Sequence, residues 1–316
     1  MIGYLVGPLP RSEALIKAYR DHGKGRISDA ELDRKVSEEA EKLVKLQMEA
    51  GLAYLSDGML NWQDQLRPVF EGLDGVELDG LSRWFDNNFF YKKPVISGPL
   101  KRRGEVDRRY LQSGLLPRER RKLILPDPYT LARLSENTYY GRVEDLVAVL
   151  AEHLSEVVNT LALDGYGQLQ LTSPSLVFQR PSRDELEKAA MGLEIVASRC
   201  PRPIMLHLPY GPGGYVMPDI LDFPVEVIGF DMTATSRKML EEYSSEKTVY
   251  LGILDGRNSL MERDDRVLEE CVSLGDELGL TEIHVGPSCG MDLLPYGVAV
   301  EKIRLLSKIL RRAEEL

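Results

Sequence analysis

Eight short apolar runs, rich in β-branched residues, alternate along this chain with longer amphipathic stretches. The runs are Ile2–Val6, Ala53–Ser56, Lys122–Leu125, Tyr166–Leu171, Ile204–Leu208, Glu226–Phe230, Val249–Leu254 and Glu282–Val285. Each has the length of a buried strand. Between them, Ser28–Ala50 opens on Ser28 with Glu31 three residues later, the spacing of a capping box. Arg142–Leu163, Arg183–Arg199, Arg263–Leu278 and Val298–Glu314 place apolar residues at helical intervals. Strand–helix alternation repeated eight times predicts an α/β fold, a single (β/α)8 TIM barrel over residues 1–316. An open doubly wound sheet is the alternative. A glycine-rich phosphate turn after the first strand would favour it, and GPLPRS is not one.

One stretch breaks the alternation. Residues 72–121 hold Trp84, Phe85, Phe89, Phe90 and Tyr91, and are expected to form an inserted basic flap. Pro94–Tyr110 reads as a hairpin-like excursion with its turn near Gly104. Residues 101–122 carry nine Lys/Arg against three Asp/Glu. Such a segment is either a solvated face or an electropositive lip for an anionic substrate tail or an acidic partner.

The net charge of −10 argues against a general nucleic-acid binder, which would carry a broad basic face. No uninterrupted apolar stretch approaches the roughly 20 residues of a spanning helix, so no membrane is expected. MIGYLVGPLPR lacks a basic n-region and a long h-region, and three cysteines do not make a disulfide framework. A cytosolic location with reduced thiols is the expectation.

In a parallel barrel, the carboxyl ends of the strands converge at one mouth, where active sites of this fold lie. His207, in PIMLHLPYG, and Cys289, in HVGPSCGMDLLP, follow two of the runs. Together they could supply two ligands of a catalytic zinc. The plainer alternatives are a hydrogen-bonded core histidine and a buried small apolar residue. Asp127 and Asp255 are candidate catalytic groups at the same end, and Asn258 follows the seventh run. Asp57, Trp62, Tyr129, Thr172, Ser173 and Tyr210 are candidates for contact with a substrate. Pro212, Gly213 and Gly214 form a loop that allows close backbone approach. Asp64 is as readily a helix-terminal charge as a ligand contact. Cys200, Cys271, His22, His153 and His284 read as structural or solvated.

Eight blocks carry a resemblance. LVGPLPRSEALIKAY, LQMEAGLAYLSDGML, LILPDPYTLARLS, LQLTSPSL, IMLHLPYG, IGFDMTATSRKMLEE, LGILDGRNS and HVGPSCGMDLLP occur in the order and spacing of the cobalamin-independent methionine synthase family. The likeness is to the short archaeal type with only the catalytic barrel, and it covers nearly the whole chain. It implies a TIM barrel of the methionine synthase and uroporphyrinogen decarboxylase type. It also implies zinc-dependent transfer of a methyl group from a pterin, folate or methylated corrinoid protein to the thiol of homocysteine.

The chain departs from that pattern at informative places. The family's zinc ligands are a histidine, a cysteine two residues on, a glutamate on the next strand and a cysteine after the last. Here these positions read His207, Pro209, Asp231 and Cys289. The family's Gly-Ser turn reads Gly7-Pro8, a glutamate is replaced by Met59, and an Asp-Glu pair by Thr172-Ser173. The resemblance leaves His207, Asp231 and Cys289 as a three-ligand zinc set with one open position. Three functions follow. One is methyl transfer to a thiol acceptor. A second is a non-catalytic partner barrel that binds the methyl donor or a catalytic companion chain, like the N-terminal barrel of two-barrel enzymes. The third is another reaction on the same barrel, such as decarboxylation.

Overall fold

The computed structural model describes residues 1–105, 108–240 and 246–315. Its strands are β1 (Ile2–Gly3), β2 (Leu73–Arg83), β3 (Phe90–Arg102), β4 (Arg121–Pro126), β5 (Glu136–Asn137), β6 (Tyr166–Thr172), β7 (Ile204–Leu208), β8 (Val227–Asp231), β9 (Thr248–Leu254) and β10 (Ile283–Pro287). Its helices are α1 (Glu13–Gly23), α2 (Asp29–Glu49), α3 (Arg67–Phe70), α4 (Pro128–Arg133), α5 (Val143–Leu163), α6 (Arg183–Ala197), α7 (Asp264–Glu277) and α8 (Tyr296–Glu314).

Seven strands pair in the order β1-β10-β9-β8-β7-β6-β4, all parallel. Two parallel bridges, Tyr4 to Tyr54 and Leu55 to Arg121, join the two edges. Residues 54 and 55 are therefore the eighth stave, and the sheet closes into a (β/α)8 barrel. Closure leaves no exposed edge in the main sheet. The second predicted run is this stave, reduced to bridges.

Caps and apolar stripes set the helices. Ser28 Oγ accepts the Glu31 N–H at 3.3 Å, and Ser182 with Glu185 forms a complete capping box at the start of α6. α5 is apolar and long enough, by length and composition, to cross a bilayer; here its buried residues pack on α6 and β6. The alternation is less regular than the sequence implies. After β7 and β8 come only short 3-10 turns among the described residues, at Gly213–Tyr215, Asp219–Asp222 and Arg237–Leu240. Pro209, Pro212, Pro218 and Pro224 break any longer helix between β7 and β8.

The insertion differs from expectation in its turn. β2 and β3 pair antiparallel, with Leu73 opposite Arg102 and Arg83 opposite Phe90. The chain therefore reverses at residues 84–89, where the Trp84 N–H donates to the Phe89 carbonyl at 2.9 Å, and not near Gly104. Asp86, Asn87 and Asn88 supply the turn chemistry. Residues 106 and 107 of the expected excursion lie outside the described residues.

The barrel interior holds a buried cluster separate from the main core: Tyr4, Val6, Met205, Val227 and Tyr250. Tyr4 stacks on Tyr250 at 5.1 Å and bonds His284 Nδ1 at 2.7 Å. Lys122 enters this cluster. Its Nζ donates to the Leu5 carbonyl at 3.0 Å and lies 3.8 Å from the Tyr4 ring centre, and among the described residues no carboxylate pairs with it. Burial holds the amine well below the usual lysine range.

Between the lowered folded value and the ordinary unfolded one, the unfolded chain holds more of this proton than the folded chain. This group therefore lowers stability at neutral pH, and the penalty fades as pH rises toward the unfolded lysine value of about 10.4. Lys122→Met, of similar length and without charge, is expected to stabilise the protein by about 1–2 kcal/mol at pH 7. The gain should shrink near pH 10 in urea unfolding. A destabilised Lys122→Met at pH 7 would show that the Leu5 and Tyr4 contacts outweigh desolvation.

Candidate functional site

His207 lies on β7, Asp231 ends β8 and Cys289 follows β10, so the barrel brings all three to one mouth. Gly229 makes room for the histidine: a Cβ there would lie 2.5 Å from Met205 Cε and 3.2 Å from His207 Cδ2. The imidazole is fully buried. Its Nε2–H donates to the Ser288 carbonyl at 3.0 Å, and Nδ1 faces the Gln170 amide nitrogen at 3.4 Å. The same Gln170 amide donates to the Val6 carbonyl at 2.7 Å and to Thr172 Oγ1 at 2.9 Å. Burial, helped by the Lys122 charge, pushes His207 down to about 3. The ring is neutral, with its proton on Nε2.

Asp231 is equally engaged. One oxygen accepts from the Thr233 hydroxyl at 2.6 Å and the Thr233 N–H at 3.0 Å. The other accepts the Tyr210 N–H at 3.0 Å and lies 3.6 Å from Arg257. Burial raises its pKa, and these donors oppose the shift. The Cys289 thiol donates to the Gly290 carbonyl at 3.3 Å. Burial, and then the Asp231 charge, push it far above the usual thiol range.

Zinc requires a free lone pair on nitrogen and a thiolate on sulfur. His207 points its Nε2 proton at a carbonyl, Asp231 holds four donors or charges, and the Cys289 thiol is turned to the Gly290 carbonyl. Pro209 adds no donor atom. Among the described residues, no group of three or more His, Cys, Asp or Glu side chains is arranged to hold a metal ion. The residues His207, Asp231 and Cys289 share a mouth but do not fit a zinc as they stand.

The other candidates divide into two groups. Asp127 caps α4, taking the Tyr129 and Thr130 N–H groups at 3.0 and 3.1 Å, and burial raises it to about 6. Asp255 shapes its own turn by accepting the Arg257 N–H at 2.9 Å. Asp57 accepts the Met59 and Gln112 N–H groups. Tyr129 is buried, with its hydroxyl donating to Glu185 at 2.9 Å. Thr172 receives Gln170, and Ser173 is fully buried. Trp62 and Tyr210, by contrast, line a cavity of about 220 Å³ beside the mouth.

That cavity also involves residues the sequence reading did not assign to a site. The tip of the β2–β3 hairpin contributes Trp84, Phe89, Phe90 and Tyr91, and the turns after β1 and β10 contribute Arg11 and Asp292. Tyr210 connects cavity and mouth. It adopts φ +74°, a left-handed conformation that a side-chain-bearing residue rarely takes, and its N–H is tied to Asp231. The available signal was the aromatic run at 84–91, which reads as flap rather than wall until the hairpin is seen to fold over the mouth.

A closed parallel barrel with polar groups at the carboxyl ends of its strands is the general architecture of TIM-barrel proteins. The family model for the cobalamin-independent synthase N-terminal domain matches residues 72–278, well over half the chain. This chain belongs to the cobalamin-independent methionine synthase family. It is 25% identical over 306 residues to a methionine synthase of Saccharolobus islandicus, covering 95% of this chain and 90% of that one. It is 24% identical over 309 residues to a methionine synthase of Sulfolobus acidocaldarius, covering 95% and 88%. Its fold matches a B12-independent methionine synthase from a Shewanella species, solved with selenomethionine, at TM-score 0.80 and 19% identity over 99% and 98% of the two chains. A methyltransferase from Methanosarcina mazei matches at TM-score 0.63 and 13% identity, over 98% and 93%.

Pro8 and Met59 line the cavity where the resemblance places amino-acid contacts, and neither offers a charge. Asp292 could meet the ammonium of homocysteine there, but its carboxylate would find only Arg11, already bonded to the Leu60 and Trp62 carbonyls. Calorimetry is expected to give a homocysteine Kd above roughly 1 mM, less than about 4 kcal/mol of binding. Micromolar binding to the isolated chain would contradict this.

Proposed function

We propose that this chain is a binding barrel of its family. It holds the methyl donor, a pterin or folate or a methylated corrinoid protein, and works beside a zinc-bearing catalytic barrel on a separate chain. The observation that carries this reading is the engagement of His207, Asp231 and Cys289 by protein partners. The match to the model of the N-terminal domain points the same way. In this reading His207 and Gln170 hold the turns after the strands in register, and Asp231 fixes Tyr210.

The second reading is methyl transfer to a thiol at a zinc held by this chain. The shared mouth of His207, Asp231 and Cys289 and the full-length archaeal relatives favour it. It requires Ser288 to release His207 and Cys289 to lose its proton.

Zinc content after purification without added metal, together with homocysteine methylation, separates the two. The binding-barrel reading predicts well under one zinc per chain, no change in Cys289→Ala and no turnover alone. It further predicts stable association, with increased turnover, when a zinc-bearing catalytic barrel of the family is added. One zinc per chain, lost in Cys289→Ala, with turnover by the isolated protein, would establish the second reading instead.

A further inference from the structure

The cavity between the hairpin tip and the barrel mouth is not lined by His207, Asp231 or Cys289. Its aromatic walls are Trp62, Trp84, Phe89, Phe90, Tyr91 and Tyr210. Two of the polar ends on these rings face the protein rather than the space. Trp62 Nε1–H donates to the Tyr110 carbonyl at 2.9 Å, and the Tyr91 hydroxyl to the Leu134 carbonyl at 3.2 Å.

Most of the charged lining is also engaged. Arg11 donates to the Leu60 carbonyl at 2.7 Å and the Trp62 carbonyl at 2.5 Å, and its guanidinium lies 4.4 Å from the Tyr19 ring centre. Asp64 accepts the backbone N–H groups of Leu66, Arg67 and Lys92 and pairs with the Arg67 side chain at 3.3 Å. Asp292 is different. Among the described residues no other residue's hydrogen bond to its carboxyl is seen; its own backbone N–H and the Arg11 charge favour its ionised form. Burial outweighs both and pushes it up to about 7. The cavity thus presents aromatic rings and one carboxyl group whose ionised form a bound cation would stabilise.

We propose that this cavity binds a compact organic cation with apolar substituents, a methylated sulfonium or ammonium head, with Asp292 as its counter-charge. Aromatic rings attract such a cation through their negative faces, and its methyl groups fill apolar space without demanding hydrogen bonds. A bound cation favours the ionised form of Asp292, a neutral ligand leaves that group to its proton, and an anion meets both Asp292 and Asp64. The volume is below the roughly 300 Å³ at which drug-sized pockets begin, which suits a small head group. The site holds this cation whether or not the chain works beside a catalytic barrel.

Calorimetry on the full chain tests this with choline, trimethylsulfonium, methionine and 3,3-dimethyl-1-butanol, the neutral carbon isostere of choline. At least one of the two cations should bind about tenfold or more tightly than the neutral isostere. Asp292→Asn should abolish that preference. Met59→Lys, which places a cation in the cavity wall, should abolish it independently, so the result does not depend on one variant folding. The proposal is overturned if the isostere binds as tightly as both cations, if folded Asp292→Asn keeps the preference, or if methionine binds more tightly than either cation.

Discussion

His207 reaches across the barrel mouth to the Ser288 carbonyl, 3.0 Å away, while Gln170 closes on its other nitrogen and on Val6 and Thr172. This network joins the strand ends of β6 and β7 to the turns after β1 and β10. It also decides the chemistry of the mouth. A buried ring nitrogen that donates to a backbone carbonyl cannot offer the same lone pair to a metal. Breaking the bond leaves a buried carbonyl unpaired, which costs about 1–3 kcal/mol. Cys289, beside Ser288, stays protonated for the related reason that burial and the Asp231 charge both oppose a thiolate.

An aromatic cavity lies to one side of the mouth. The β2–β3 hairpin folds so that Trp84 and Tyr91 meet edge to face at 6.1 Å, and Phe85 packs against Phe178 at 5.2 Å and Tyr210 at 6.1 Å. The insertion is thus anchored to the loops after β6 and β7 and forms a wall of the cavity. Tyr210 carries the connection: its strained backbone is held by Asp231, and Arg257 lies 5.5 Å from its ring centre. Asp231, through its hold on the Tyr210 backbone, fixes an aromatic wall.

The barrel was legible because each stave is a local signal. β-branched runs, the Ser28 cap and the helical spacing of α5 to α8 are readable within a few residues of themselves. The hairpin was only partly legible. The basic run drew the turn toward Gly104, while Asp86, Asn87 and Asn88 made it earlier. The mouth was legible as a place but not as a chemistry. The partner of His207 is a carbonyl 81 positions away, and a carbonyl has no signature in the sequence. Asp292 likewise acquires meaning only when an aromatic cluster some two hundred residues earlier folds over it. Family pattern named His207, Asp231 and Cys289, and packing determined what their lone pairs do.

The protonation state of His207 tests this account most directly. In protein labelled with 15N at its four histidines, nitrogen NMR reports the tautomer of each ring and its response to metal. The account predicts that His207 is neutral and protonated on Nε2 down to about pH 4, consistent with its value of about 3. Its resonances should also stay unmoved by one equivalent of zinc. A His207 Nε2 that is unprotonated, or whose resonance shifts and saturates at one zinc per chain, would contradict it and return the mouth to metal chemistry.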